Sequence, residues 1–312
     1  MSVAASELEL HHEDPQGSEV SNEISDPHLA QSLDVLASLS PPTSSGPVIA
    51  VDLDDVLSQT NAAVARWHNE QFGTNMKLNE FYYYYYWKNP YWGGLRETYQ
   101  KVKDFYASMQ IYDAVPVPGA REGVQALRDM GYKLIIVTAR GSDVKEESWD
   151  WVNKWFPGEV ISSRIKIVEF TISSGLFDSV ICTGQFKDAV KDGHEIVTKL
   201  SKAQVCADLK ARLLIDDSSE NALQVATSSS PDTPPTPVLL FGNYEWNKRF
   251  SSHSDAVDTM VFETRLQIEG GREFWKDEKF EDHVPAGAPL RRVKDWAEVI
   301  RYVKSARAVN EL

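Results

Sequence analysis

Val48-Ile49-Ala50-Val51-Asp52-Leu53-Asp54-Asp55-Val56-Leu57 is the stretch that decides the fold. Its first four residues are apolar without polar alternation, which reads as a strand buried on both faces, and the acids that follow at once mark the strand's carboxyl end. Two further runs repeat the arrangement: 133–137 (KLIIV) leads into Thr138-Ala139-Arg140, and 212–215 (RLLI) leads into Asp216-Asp217. Val238-Leu239-Leu240-Phe241 supplies a fourth strand and Ser179-Val180-Ile181-Cys182 a fifth. Between them, helical spacing recurs at about 59–72, 95–109, 119–130, 144–155, 201–208, 219–226 and 293–306. Strands alternating with helices predict an α/β architecture with one parallel sheet. The Ser/Pro/Thr stretch from Thr227 to Thr236 reads as a loop, and no internal repeat is visible.

The 312 residues are 42% apolar and 11% aromatic, enough for a sizeable core. No uninterrupted apolar run approaches the ~18 residues of a membrane span, and the N-terminus lacks the basic flank and apolar run of a secretory signal. Two cysteines, Cys182 and Cys206, rule out a disulfide scaffold and a four-cysteine zinc site, and they suit a cytoplasmic or nuclear address. A net charge of −14 argues against broad capture of nucleic acid or anionic lipid, though a local basic groove stays compatible with it. More than half of that charge sits in residues 1–46, which hold eight acids, no Lys or Arg and no aromatic ring. Such a composition cannot bury enough surface to offset chain entropy, so 1–46 is expected to be a disordered acidic tail; the short apolar set at Leu29, Leu33, Val35 and Leu36 could make a transient docking helix for an unknown partner.

The chemistry is expected where the strands stop. In an open parallel sheet ligands collect beyond the carboxyl ends of the strands, so Asp52, Asp54, Asp216 and Asp217 can converge from separate strands. Crowded carboxylates repel one another unless a cation joins them, and a hard ion with oxygen ligands, Mg2+ above all, meets that need. Each acidic pair alone also fits a helix cap; together they point to a metal. Thr138, a hydroxyl beside backbone amides near a helix start, suits a phosphate oxygen. Lys202, 14 residues before Asp216, would add a compact positive charge, with Lys199 as the alternative.

In this order, Asp52-Leu-Asp54, Thr138, Lys202 and Asp216-Asp217 resemble the four motifs of the haloacid dehalogenase superfamily over Val48 to about Phe241. Val56, the long insertion between the first two motifs and the distal Arg292-Val293-Lys294-Asp295-Trp296 are most similar to the 5′(3′)-deoxyribonucleotidase branch. The resemblance implies a three-layer Rossmann-like sandwich built from 47–57 and 113–312, with a small helical cap, 58–112, inserted after the first strand. It also implies roles. Asp52 would be the nucleophile, and Asp54 the general acid and base whose carbonyl also ligates the metal. Thr138 and Lys202 would hold the phosphoryl oxygens, and Asp52, Asp216 and Asp217 would complete the Mg2+ site. Position 55 is Asp where that branch usually carries Gly; the extra acid either caps the next helix or alters metal affinity.

The cap's aromatic stretch, Phe81-Tyr82-Tyr83-Tyr84-Tyr85-Tyr86-Trp87-Lys88-Asn89-Pro90-Tyr91-Trp92, offers faces for stacking a nucleobase or for filling the cap's own core. Tyr86, Trp87 and Arg140 are the candidate substrate contacts, Arg140 having a neighbouring acid as its other partner. Trp149, Trp151, Val152, Trp155 and Phe156 read as a buried helix face, and the seven histidines show no metal-ligand spacing. Residues 159–175 interrupt the family pattern: either a retained intron, since both boundaries can be encoded as splice sites, or a loop or edge-strand insertion. The expected activity is a magnesium-dependent phosphomonoesterase working through an aspartyl phosphate on a nucleoside monophosphate. The alternatives are another small phosphomonoester, a polynucleotide end, or a non-catalytic phosphate-binding or interaction module.

Overall fold

The computed structural model describes residues 46–158, 160–165, 168–173, 175–184, 201–229 and 233–312. The acidic tail up to residue 45 and the alternative Lys199 lie outside them. Among the described residues, eight strands and eight α-helices follow in chain order: β1 Val48–Val51, α1 Thr60–Phe72, α2 Leu95–Ala107, α3 Ala120–Asp129, β2 Lys133–Thr138, α4 Lys145–Trp155, β3 Val160–Ile165, β4 Val168–Ser173, β5 Ser179–Cys182, α5 Lys202–Asp208, β6 Leu213–Asp216, α6 Ser219–Thr227, β7 Val238–Phe241, α7 Phe262–Ile268, β8 Leu290–Val293 and α8 Trp296–Ala308.

Six strands form one parallel sheet in the order β5-β2-β1-β6-β7-β8. The two-residue period divides its side chains between two cores. Ile49, Val51, Leu134, Ile136, Leu213, Ile215, Leu239 and Phe241 face α3, α4 and α8; Ala50, Ile135, Val137, Leu214, Val238 and Leu240 face α5 and α6. The result is the expected three-layer α/β sandwich. On one face α3 and α8 pack so closely that a Cβ on Gly123 would stand 2.3 Å from the Trp296 ring, which is why a glycine sits in a helix there.

The sheet has one strand more than the sequence pattern predicts. β8 carries Arg291 and Arg292, half-exposed to exposed, so its apolar signal is broken in the way edge strands commonly are. The final helix accordingly starts at Trp296, three residues later than expected, with Asp295 accepting from the Glu298 amide as its cap. Within the 159–175 insertion β3 and β4 pair antiparallel as a separate two-stranded sheet instead of an edge of the main one.

Helices α1 and α2 close over the carboxyl ends of the strands around Ala63, Trp67, Phe81, Trp92 and Phe105. That cluster also takes in Trp246 from beyond β7. The segment between β7 and β8, read from sequence as part of the sandwich, reaches up to the cap: Phe262, Phe274 and Trp275 pack on Tyr82 and Tyr83. Tyr83 donates to Glu278 at 2.6 Å, and Lys88 pairs with Asp255 at 2.8 Å. No helix among the described residues is long and apolar enough to cross a membrane.

Candidate active site

Asp52 continues β1 by one residue, its amide donating to the Ile215 carbonyl at 2.9 Å, so the first acid is held in register with β6. The chain then turns in a tight loop in which Asp55 donates to the Ser58 carbonyl and Leu57 and Ser58 donate back to that of Leu53. Asp55 sits at φ 54°, the left-handed region. A glycine takes that conformation without cost and an aspartate more readily than most, which accounts for both the family habit and the residue found here. The Asp55 carboxylate accepts from the Asn61 amide in the first turn of α1, the capping alternative, and it also lines the pocket above the strand ends.

Lys202, at the first position of α5, is fully buried and places Nζ 2.8 Å from Asp52 Oδ2 and 2.6 Å from Asp216 Oδ2. Ser201 caps α5 by accepting from the Gln204 amide, fixing the helix start that aims the lysine. Asp216 Oδ1 accepts from the Ser218 amide at 2.9 Å, so both its oxygens are held. Asp217 accepts from the Trp246 indole at 2.6 Å. Asp52, Asp216 and Asp217 bring carboxylate oxygens within 4.8 Å of one another. A buried, all-oxygen acidic set of that spacing fits a hard divalent ion.

The electrostatics say the same. Burial pushes Asp52 up to about 7 against the pull of Lys202, with Asp216 and Asp54 pushing further. Asp217 is raised well above the usual carboxylate range, by burial first and then by Asp55, Asp52 and Asp216. Lys202 is held more firmly protonated than usual because Asp216 and Asp52 outweigh its burial. Two cations, Lys202 and Arg140, stand against five acids, a deficit that a bound cation would relieve.

Asp54 points elsewhere. Its carboxylate receives Arg140 Nη2 at 2.7 Å, Arg140 Nε at 3.1 Å, Thr60 Oγ1 at 2.6 Å and Thr138 Oγ1 at 3.4 Å. Burial raises the affinity of Asp54 for a proton, but Arg140 and Thr60 overcome it and hold the group below its ordinary value. Arg140 is 2% exposed and its remaining arm, Nη1, donates to Ser148, which in turn donates to the Val144 carbonyl. The neighbouring acid expected for Arg140 is thus Asp54. Thr138 is buried at the end of β2 beside it.

Above the acids lies a pocket, open to solvent, whose upper wall is Tyr84, Tyr86, Trp92, Val102, Phe105 and Tyr106. Tyr86 stacks on Trp92 at 4.2 Å and donates to Asn61 at 2.8 Å. Trp87 does not line it. Its ring stacks on Tyr85 at 4.6 Å, while Tyr84 and Tyr86 line the pocket. Which rings of the run face the pocket is not legible in the sequence, and Thr60, Ser148 and Trp246 carry no signal along the chain either.

Residues 46–177, less than half of the chain, match the family described as "5' nucleotidase, deoxy (Pyrimidine), cytosolic type C protein". No curated protein matches. Among solved structures, a predicted phosphatase from Clostridium acetobutylicum is 12% identical with a TM-score of 0.43, covering 84% of this chain and 100% of its own. A HAD family hydrolase from Deinococcus radiodurans R1, with bound phosphate and sodium, is 12% identical at 0.43, covering 84% and 97%. L-2-haloacid dehalogenase from Xanthobacter autotrophicus is 12% identical at 0.41, covering 83% and 98%. The family match spans the loop that carries Asp52 and the cap above it, while Lys202, Asp216 and Asp217 complete the same acidic centre from beyond the match; over residues 46–177 the chain is similar to that nucleotidase family.

Proposed function

We propose that the protein is a magnesium-dependent phosphomonoesterase that works through an aspartyl phosphate on Asp52 and takes a nucleoside monophosphate. The observation that carries this reading is the placing of Asp52 between Lys202 and the Asp216/Asp217 pair at the floor of an aromatic-walled pocket. Asp52, Asp216, Asp217 and the Asp54 carbonyl would hold the magnesium, which would supply charge neutralisation for an anionic nucleophile meeting an anionic phosphate.

An Asp52 oxygen attacks phosphorus in line, the phosphorus–ester oxygen bond breaks, and Asp54 passes a proton to the departing alcohol. Lys202 and Thr138 hold the phosphoryl oxygens while charge redistributes across them. In the second step Asp54 takes the proton of a water whose oxygen attacks the same phosphorus, and the Asp52–phosphorus bond breaks to free inorganic phosphate. Arg140 stabilises the anionic form of Asp54 that the second step uses, whereas the first step draws on the protonated form, which the approach of the anionic phosphoryl group favours.

The upper wall suits a flat ring: rings such as Tyr86 and Trp92 present faces and edges to a nucleobase, with Asn61 beside them. A cap braced from both sides, by its own helices and by the segment after β7, favours a small ester over a polynucleotide end. The cytosolic type of the matched family and two unpaired thiols, Cys182 and Cys206, support a cytoplasmic address.

The test is turnover of an aryl phosphate with Mg2+, abolished by Asp52→Asn, followed by a panel of nucleoside monophosphates, sugar phosphates and 3′-phosphorylated oligonucleotides. Preference for a nucleoside monophosphate is the expected result. Inertness toward every ester with magnesium present overturns the activity, and a sugar phosphate or an oligonucleotide leading the panel overturns the substrate.

A further inference from the structure

The loop after β7 places two aromatic rings where both acidic loops can be held at once. Tyr244 and Trp246 stack face to face, centroids 4.2 Å apart and planes 8° from parallel. The Tyr244 hydroxyl donates to the Asp55 carbonyl at 2.8 Å, in the loop that follows β1. The Trp246 indole N–H donates to Asp217 Oδ2 at 2.6 Å, in the loop that follows β6. Trp246 is 1% exposed and belongs to the cap's core, edge-on to Phe81.

The site for this pair is built into the backbone. Gly242 turns the chain at φ +87°, and a Cβ there would fall 2.1 Å from the Tyr244 ring. Only a glycine at that position lets the ring lie where it does. Asp217 Oδ1, meanwhile, has no protein donor among the described residues, whereas Asp216 has both oxygens taken. The indole therefore ties one oxygen of Asp217 and fixes the direction of the other.

We propose that the Tyr244–Trp246 pair is a positioning brace for the cation site: it sets the carboxylate of Asp217 and the loop of Asp55 in mutual register. Groups that orient a metal ligand through a hydrogen bond commonly govern affinity by roughly 10–100-fold. The brace touches neither the phosphoryl group nor the nucleophile, so its effect falls on binding of the ion. It rests on the reading of Asp52, Asp216 and Asp217 as a magnesium site.

Calorimetric titration of MgCl2 into the full chain tests it, with Trp246→Phe, Tyr244→Phe and Phe81→Leu beside the wild type. Trp246→Phe removes the N–H and keeps a ring; the expected result is a dissociation constant weaker by roughly 10–100-fold. Tyr244→Phe removes only a hydroxyl and weakens binding by a smaller factor, and it carries the test if Trp246→Phe fails to fold. Phe81→Leu disturbs the cap packing on the same indole without touching its N–H and leaves the constant within about twofold of wild type, the spread of independent-site effects. Tryptophan emission of the wild type shifts on adding magnesium, and Trp246→Phe loses that part of the shift. Wild-type affinity in both brace variants overturns the proposal, as does an equal loss in Phe81→Leu, which would assign the effect to packing. A wild type that takes up no magnesium sinks the cation reading itself, which is a distinct result from variants that bind as well as the wild type does.

Discussion

Replacing Lys202 with methionine removes the cation lodged between the Asp52 and Asp216 carboxylates while keeping a chain of similar length. Its ammonium makes ion pairs of 2.8 and 2.6 Å with Asp52 and Asp216, all three side chains 7% exposed or less. Removing one partner of a buried pair leaves the other charge uncompensated and costs about 3–5 kcal/mol. Here two carboxylates lose the same partner, so Lys202→Met should lie toward the upper end of that range at pH 7.5 without metal. Magnesium should then recover stability, because a ligand at a hundredfold its dissociation constant contributes about 2.7 kcal/mol to the folded state. Catalysis is not recovered: the missing ammonium no longer meets the phosphoryl oxygens, and loss of such a donor lowers kcat by roughly 10²–10³. Urea unfolding with and without MgCl2, beside initial rates on an aryl phosphate, reads both quantities. A Lys202→Met protein as stable and as fast as wild type would refute the reasoning, and a destabilised variant indifferent to magnesium would refute the metal half of it.

Arg140→Lys keeps the charge but gives up the two-pronged grip on Asp54 and the tie to Ser148, so kcat should fall by on the order of 10² with KM changed a few-fold at most, in steady-state kinetics. Tyr86→Ala removes the ring stacked on Trp92 and should raise KM for nucleoside monophosphates by the equivalent of roughly 1–3 kcal/mol while leaving KM for sugar phosphates nearly unchanged. Glu220 accepts from Ser218, Ser219 and the Ser251 amide, and burial pushes it from 4.5 to about 7. Between those values the folded protein retains a proton the unfolded chain has released, so its contribution to stability is lost as pH rises; Glu220→Gln should flatten the decline between pH 4.5 and 8 in urea unfolding. Excising 159–175 should leave the rate on an aryl phosphate unchanged, because the Leu176 amide already donates to the Phe156 carbonyl at 3.1 Å across the base of the insertion, and transcript reads over the segment at the depth of its neighbours would remove the retained intron as its source.

The sheet and the acidic half of the site could be read from the chain because one physical cause makes both visible. A strand buried on two faces must be a run of branched apolar residues, and the run must end where its carboxyl end meets water or a ligand. Asp52, Thr138 and Asp216 each sit at such an end, so the boundary of a hydrophobic run gives the address of a polar group. β8 escaped for the complementary reason: an edge strand packs one side only, and Arg291 and Arg292 break its run. Tyr244, Trp246, Ser148 and Thr60 escaped because their roles depend on tertiary placement and not on any period along the chain. Arg140 was ambiguous in sequence for the same reason, since a guanidinium has equal reach toward a phosphate and toward Asp54, and only the fold brings Thr60, Thr138 and Ser148 around that particular pair.

The aromatic stretch shows how composition alone misleads about a binding wall. Seven consecutive rings from Phe81 to Trp87 look like a surplus offered to a ligand, yet most of them have partners within the protein. Tyr82 stacks on Trp275 at 4.6 Å and Tyr83 reaches Glu278, both in the segment between β7 and β8, while Tyr85 and Trp87 cover each other. Tyr84 and Tyr86 are left to the pocket. The outward rings are therefore what fix the inward ones: with Tyr83 hydrogen-bonded, Lys88 paired to Asp255 and Asn89 accepting from the Tyr83 amide and donating to the carbonyls of Tyr83 and Tyr85, the wall is held before any substrate arrives. A preformed wall spends less binding free energy on ordering its own side chains, so selectivity between esters should follow the fit of the leaving group to Tyr84 and Tyr86 and depend little on motion of the cap.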